Sequence, residues 1–240
     1  MAQGITIGGK VYPLNHPVTG HPIPVLGPQD HKVEFKPGDG YNKKRVKPID
    51  LGVFHWTGSE NAVETMVEVL RQRKLGVEFA ISPFGVLYQF CDPTLVDTAD
   101  AGIANSRSWG VEIVNAGIRR AATLWMEPKY RKPPLGPRPS YDTVLHGKAL
   151  KCWDFYPAQT VTACALNKVM TEALSTYSKD VCTVPGVVDL AKVKGAVGHY
   201  NITNEKLDPG TRFMGHLAEF MRTGKLPSDL TQEAAPLTVA

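Results

Sequence analysis

Between residues 49 and 115 the chain alternates short apolar runs of strand length with one stretch of helical period, and this rhythm constrains the fold most. The run LGVFHW (51–56), bounded by Asp50 and Gly58, is apolar except at His55, which suits a buried strand. Val63, Met66, Val67 and Leu70 then recur at i, i+3, i+4 and i+7. That spacing makes one helix face, so a helix is expected from an N-cap at Ser59 through Arg73. Residues 77–82 and 86–91 read as strands joined by a Pro83-Phe84-Gly85 turn, and 109–115 as a strand whose only charge is Glu112.

Further along, residues 156–177 read as a long helix with Pro157 in its first turn and Val161, Ala165, Leu166, Val169 and Ala173 facing inward. A short helical turn is expected over 189–193, a strand over 196–199 and a last helix over 212–223. Strands interleaved with helices imply the α/β class: a single mixed central β-sheet flanked by helices. At 240 residues and 42% hydrophobic, the chain can bury a full core.

Three regions fall outside the rhythm. Residues 1–48, rich in Pro and Gly, read as an N-terminal extension. It holds a hairpin over 5–14 turning at Gly8-Gly9, the irregular stretch HPVTGHPIPVLGP, and a basic patch of Lys43, Lys44, Arg45 and Lys47 that reads as a solvated loop. The main domain spans 49–225 and carries an insertion at 116–150. There PKYRKPPLGPRP (128–139) must be a loop, and 143–150 is a hairpin arm around His146-Gly147. Residues 226–240 form a C-terminal tail, frayed after Pro227.

A formal net charge of +4 is a mild basic bias, suited to an anionic polymer but too weak to imply nucleic-acid binding. No apolar run approaches the roughly 20 residues of a membrane span. Cys91, Cys152, Cys164 and Cys182 form no CxxC pair, so buried reduced thiols are expected rather than a disulfide scaffold.

Three positions place polar groups where an apolar framework would not. His55 ends an apolar strand. His199 is followed nine positions later by Asp208, a strand-end histidine and a loop carboxylate that can converge on one ion, both being good zinc ligands. Glu112 lies amid Val111, Ile113 and Val114, and burying a carboxylate without a partner is costly. Taken singly, each has an ordinary structural explanation: His55 as a hydrogen-bonded core or turn histidine, Asp208 as the cap of the last helix, Glu112 as the partner of a basic residue such as Arg107.

Read together, these segments resemble the zinc amidases of the N-acetylmuramoyl-L-alanine amidase type 2 family, a fold shared with phage lysozyme-like amidases and peptidoglycan recognition proteins. The resemblance runs from about Ile49 to Phe220. VFHWTGS is similar to the segment bearing the first zinc histidine, VEFAISPFGVLYQF to the hairpin HFxIxxDGxxYQ, and NSRSWGVEIVN to NxxSIGIEIxN, which carries a catalytic glutamate. FYPAQTVTACALNKVM is similar to the helix YTxAQxxAL, and GHYNITNEKLDPGTRF to GHxDIxxxRKxDPGxxF. The resemblance implies zinc ligands at His55, His199 and Asp208, a general base at Glu112 and an oxyanion-stabilising cation at Lys206. It also implies cleavage of the amide between N-acetylmuramic acid and L-alanine in peptidoglycan; the N-terminal extension and the insertion favour a lytic enzyme, a phage endolysin or a lysin of a phage-tail-like particle, over a compact wall-recycling enzyme. No secretory signal is read in MAQGITIGGKVYPL, so a chain made in the cytoplasm and released or delivered to the wall is expected.

The departures are specific. Val77-Glu78-Phe79 stands where many relatives have Tyr-His-Phe, removing a tyrosine that assists catalysis in some of them. Ala99-Asp100-Ala101-Gly102 stands where relatives read WHAG, so a substrate-contacting histidine is absent. Asn201 replaces an Asp and Glu205 an Arg. The alternatives are a non-catalytic peptidoglycan-binding module and a zinc amidohydrolase cutting within the stem peptide.

Overall fold

The structure, a computed structural model, describes residues 4–31, 35, 38–59, 62–118 and 138–231. At the N-terminus, Gly8 and Gly9 take positive φ (61° and 73°) and close a hairpin of β1 (Gly4–Ile7) on β2 (Lys10–Pro13). Next come β3 (Val25–Leu26), β4 (Tyr41–Lys44), β5 (Leu51–Trp56) and α1 (Val63–Gln72). They are followed by β6 (Phe79–Ile81), β7 (Leu87–Gln89), β8 (Val96–Thr98) and β9 (Ser108–Ile113). The second half holds the hairpin of β10 (Ser140–Leu145) and β11 (Lys148–Trp153), then α2 (Pro157–Ala173), β12 (Gly195–Gly198), α3 (Thr211–Thr223) and α4 (Ser228–Thr231).

Six strands form one mixed sheet in the order β12-β5-β9-β6-β7-β3. The pairs β12/β5, β5/β9, β9/β6 and β7/β3 are parallel, and β6/β7 is antiparallel. Parallel strands covered on both faces must be apolar on both faces, which is why 51–56 reads as a continuous run. Phe54, Phe79, Val111 and Ile113 pack with α2 and α3 through Leu166, Met170, Phe213 and Leu217. On the opposite face Ala80 packs with Val63, Met66, Val67 and Leu70 of α1, while Leu51 and Val53 meet Ala101 and Ala104. Among the described residues no helix is long and apolar enough to cross a membrane.

Several expectations are corrected at their ends. The first helix starts at Val63 with Ala62 at its N-cap, because Ser59 is engaged elsewhere: it bridges Asn115, and its carbonyl accepts the Thr57 hydroxyl at 2.5 Å. The strands expected over 77–82 and 86–91 are shorter, Phe79–Ile81 and Leu87–Gln89, although the Phe90 amide still donates to the Glu78 carbonyl at 2.9 Å just beyond them. The long helix ends at Ala173 rather than 177, and residues just past Pro227 form α4 instead of fraying. In the N-terminal segment, β3 lies at the edge of the central sheet and β4 pairs with β8. Arg45 is not part of a solvated patch. It is buried and donates to Glu78 and to the carbonyls of Pro93, Val96 and Ser108. The expected loop at 128–139 falls, save for its last two residues, outside the described residues.

Candidate metal centre

Parallel pairing sets the site. In register, His55 of β5 stands beside Glu112 of β9, which stands beside Ala80 of β6. The two-residue period of strands puts His55 and Glu112 on the face opposite α2 and α3, near the carboxyl ends of their strands, where open parallel sheets bind ligands. The neighbouring strand β12 ends at Gly198, which places His199 at the same edge. Asp208, three residues before α3 begins at Thr211, comes back to it: its carbonyl accepts the Tyr200 amide at 3.1 Å.

His55, His199 and Asp208 are all buried, and their donor atoms lie within 4.8 Å of one another; among the described residues no other such group of His, Cys, Asp and Glu converges. His55 Nδ1 is 2.9 Å from His199 Nδ1, and each is 3.1 Å from Asp208 Oδ2. Donors on a tetrahedral zinc at roughly 2.0–2.2 Å stand about 3.4 Å apart. A zinc ion therefore fits once the three atoms spread by a few tenths of an ångström. Two imidazole nitrogens and one carboxylate oxygen are also the donor chemistry of a catalytic zinc site with an open fourth position.

Charge and burial perturb every member. Burial pulls the His55 imidazole down, but hydrogen bonds to Asp100 and Asp208 and the charge of Glu112 outweigh it, raising its pKa to about 10. Burial and the neighbouring His55 lower His199. For Asp208, burial acts upward, yet the two imidazoles hold its carboxyl well below the usual carboxylate range. Glu112 makes no ion pair with Arg107, which is engaged in a two-pronged contact with Asp50 at 2.6 and 2.7 Å. Instead Glu112 Oε2 is buried without a partner, and burial, aided by Asp208 and Asp100, raises its pKa to about 7. Lys206 lines the same cleft of about 260 Å³ as His55, Glu112, His199 and Asp208, with Trp56 and Arg73 farther along its walls. Its loop is held by His146, whose Nε2 donates to the Lys206 carbonyl at 2.9 Å from the tip of the β10–β11 hairpin.

The structure brings together all five residues singled out from the sequence. It adds two that the sequence reading registered only as losses, Asp100 and Glu78. Asp100 Oδ2 lies 3.2 Å from His55 Nε2, and Glu78 is fully buried beside it. Their one signal in the sequence was a carboxylate standing where the resembling sequences carry histidine. The four cysteines are free thiols, two of them buried and two half-buried, and none lies among the donors.

A family model described as N-acetylmuramoyl-L-alanine amidase matches residues 45–211. Among solved structures, peptidoglycan recognition protein SD of drosophila is 16% identical with a TM-score of 0.46, covering 78% of this chain and 89% of that one. The Ph2119 endolysin from Thermus scotoductus MAT2119 bacteriophage Ph2119 is 16% identical with a TM-score of 0.48, covering 81% and 97%. The amidase AmiD from E. coli, in complex with anhydro-N-acetylmuramic acid-L-Ala-D-gamma-Glu-L-Lys, is 16% identical with a TM-score of 0.45, covering 70% and 56%. No curated protein sequence matches the chain.

Proposed function

The chain belongs to the N-acetylmuramoyl-L-alanine amidase family, and on that footing we propose that it is a zinc-dependent hydrolase cutting the amide between N-acetylmuramic acid and L-alanine in peptidoglycan. The observation that carries the reading is the convergence of His55, His199 and Asp208 beside an unpartnered Glu112 oxygen in one open cleft.

His55, His199 and Asp208 would hold the ion. Zinc in such a site lowers the pKa of a bound water from 15.7 to roughly 7 and polarises a carbonyl. Glu112, with a pKa raised to about 7, is poised to take the water proton at neutral pH and return it to the leaving amine. Lys206 supplies a cation for the oxyanion that forms as water adds to the carbonyl carbon. Breaking the C–N bond then yields the lactyl carboxylate of the sugar and the free amine of L-alanine. We infer a lytic role, exerted on the wall after release or delivery, because segments 1–48 and 116–150 add length beyond the motifs that carry the chemistry, where a recycling enzyme would be expected to be compact.

Mass spectrometry of digested peptidoglycan tests this directly. Wild-type protein should give free muramic carboxylates and peptides starting at L-alanine, lose that activity to a chelator and regain it with zinc. His199→Ala should lose both zinc and activity, while His146→Ala should keep its zinc. Cell-wall pelleting without any product, or cuts inside the stem peptide, would overturn the assignment.

A further inference from the structure

Behind the ligand cluster lie three buried side chains that the reaction above does not use. Asp100 Oδ2 is 3.2 Å from His55 Nε2, the ring nitrogen opposite the one turned to His199 and Asp208. The Thr98 hydroxyl sits between two carboxylates, 2.8 Å from Glu78 Oε2 and 3.3 Å from Asp100 Oδ1. Glu78 has no exposed surface; it accepts the Gly110 amide at 2.7 Å and the Arg45 guanidinium at 3.2 Å. Room for Asp100 exists because residue 110 is glycine. A Cβ there would overlap Asp100 Oδ2, so the strand next to β5 is hollowed where the carboxylate stands.

We propose that Asp100 is a positioning residue for the metal centre, and that Glu78, anchored on Arg45, holds Asp100 in place. The inference rests on the zinc reading above. With the Asp100 oxygen as acceptor, the hydrogen between Asp100 and His55 belongs to Nε2. That tautomer leaves the Nδ1 lone pair free and directed at the ion, and the charged acceptor raises the basicity of the ring. The hydrogen bond also fixes the plane of an imidazole that would otherwise turn about its Cβ–Cγ bond. Glu78 and Asp100 both stand where the resembling sequences carry histidine, so two departures that look unrelated along the chain meet in one contact through Thr98.

The experiment measures zinc affinity of the full-length chain by competition with a chromophoric chelator, together with the visible spectrum of the cobalt-substituted protein. Outer-shell partners of this kind commonly contribute 10–100-fold to metal affinity. Asp100→Ala should therefore bind zinc about 10–100-fold more weakly than wild type, with altered cobalt bands. Asp100→Asn, whose amide oxygen still accepts the Nε2 hydrogen but carries no charge, should fall between the two. A folded Asp100→Ala protein with wild-type zinc affinity and an unchanged cobalt spectrum would overturn the inference and leave the zinc amidase reading standing. Should Asp100→Ala not fold, the same result from Asp100→Asn overturns it equally. Wild-type protein that binds no zinc overturns both readings.

Discussion

Replacing Glu112 by Gln should slow the proposed reaction strongly and, at alkaline pH, make the protein more stable. The carboxyl is displaced from 4.5 to about 7, chiefly by burial, with Asp208 and Asp100 adding to it and His55 and Lys206 opposing. A carboxyl whose pKa is raised by folding is disfavoured in its ionised form. The penalty is absent below about pH 4.5, grows as pH rises, and is complete above about 7. At pH 8 it amounts to at most about 3 kcal/mol, and at pH 5 to under about 1 kcal/mol. Glutamine has the same shape and no charge, and since the residue as a whole is half-buried, its amide can turn toward the cleft. Urea unfolding of chelator-treated wild type and Glu112→Gln at the two pH values gives the comparison. The variant should gain about 2–3 kcal/mol at pH 8 and little at pH 5. Turnover of the zinc-loaded variant should fall about 10²–10⁴-fold with zinc content unchanged. A variant less stable than wild type at pH 8 would mean that Glu112 makes a native contact the structure does not contain. Near-normal turnover of folded, zinc-loaded Glu112→Gln would remove its role as base.

Two further outcomes follow from side chains away from the ligands. Thiol alkylation of the native protein should leave activity unchanged in a muropeptide-release assay, because no cysteine is a donor and burial raises the pKa of both Cys152 (to about 11) and Cys164. Arg45→Met should cost about 3–5 kcal/mol in chemical denaturation, since it strands the buried Glu78 without its ion partner. The exposed neighbour Lys44→Met should change stability by less than about 0.5 kcal/mol.

What could be read from the sequence was local. LGVFHW announces a buried strand because each position is decided by the same requirement, apolar contact on both faces, and its one exception, His55, stands out for that reason. The hairpin tip at His146-Gly147 was legible likewise: both residues take positive φ, 51° and 72°, as a tight turn demands. Arg45 was misread because charge alone looks like solvent exposure. Its burial depends on carbonyls at Pro93, Val96 and Ser108, which are distant in the chain and adjacent only after folding. Ser59 failed as a cap for a related reason, its segment being taken by the bridge to Asn115. Asp100 and Glu78 show the same limit at the site. A departure from a motif tells which group is missing, and only the fold tells what the replacement touches.

The charge of the pocket also follows from this arrangement. Asp208, Glu112, Asp100 and Glu78 bring four carboxylates into one buried region, and Arg45 and Lys206 bring two fixed cations, of which Arg45 is shared with a fifth carboxylate, Asp97, at 3.1 Å. With both imidazoles neutral, the carboxylates outnumber the cations, in surroundings where burial weakens screening by water. Burial together with that excess of acids displaces Glu78 upward to about 8 and Glu112 to about 7, whereas the carboxylates raise His55 to about 10 against the effect of burial. A divalent cation at the His55–His199–Asp208 apex would offset two of these negative charges without protonating any carboxylate. It would also sit beside Asp208 and Glu112, while Arg45 serves the far end through Glu78. The proposed zinc would then act as a structural counter-ion as well as a catalytic one, offsetting part of the charge of the acids that this sequence keeps inside its core.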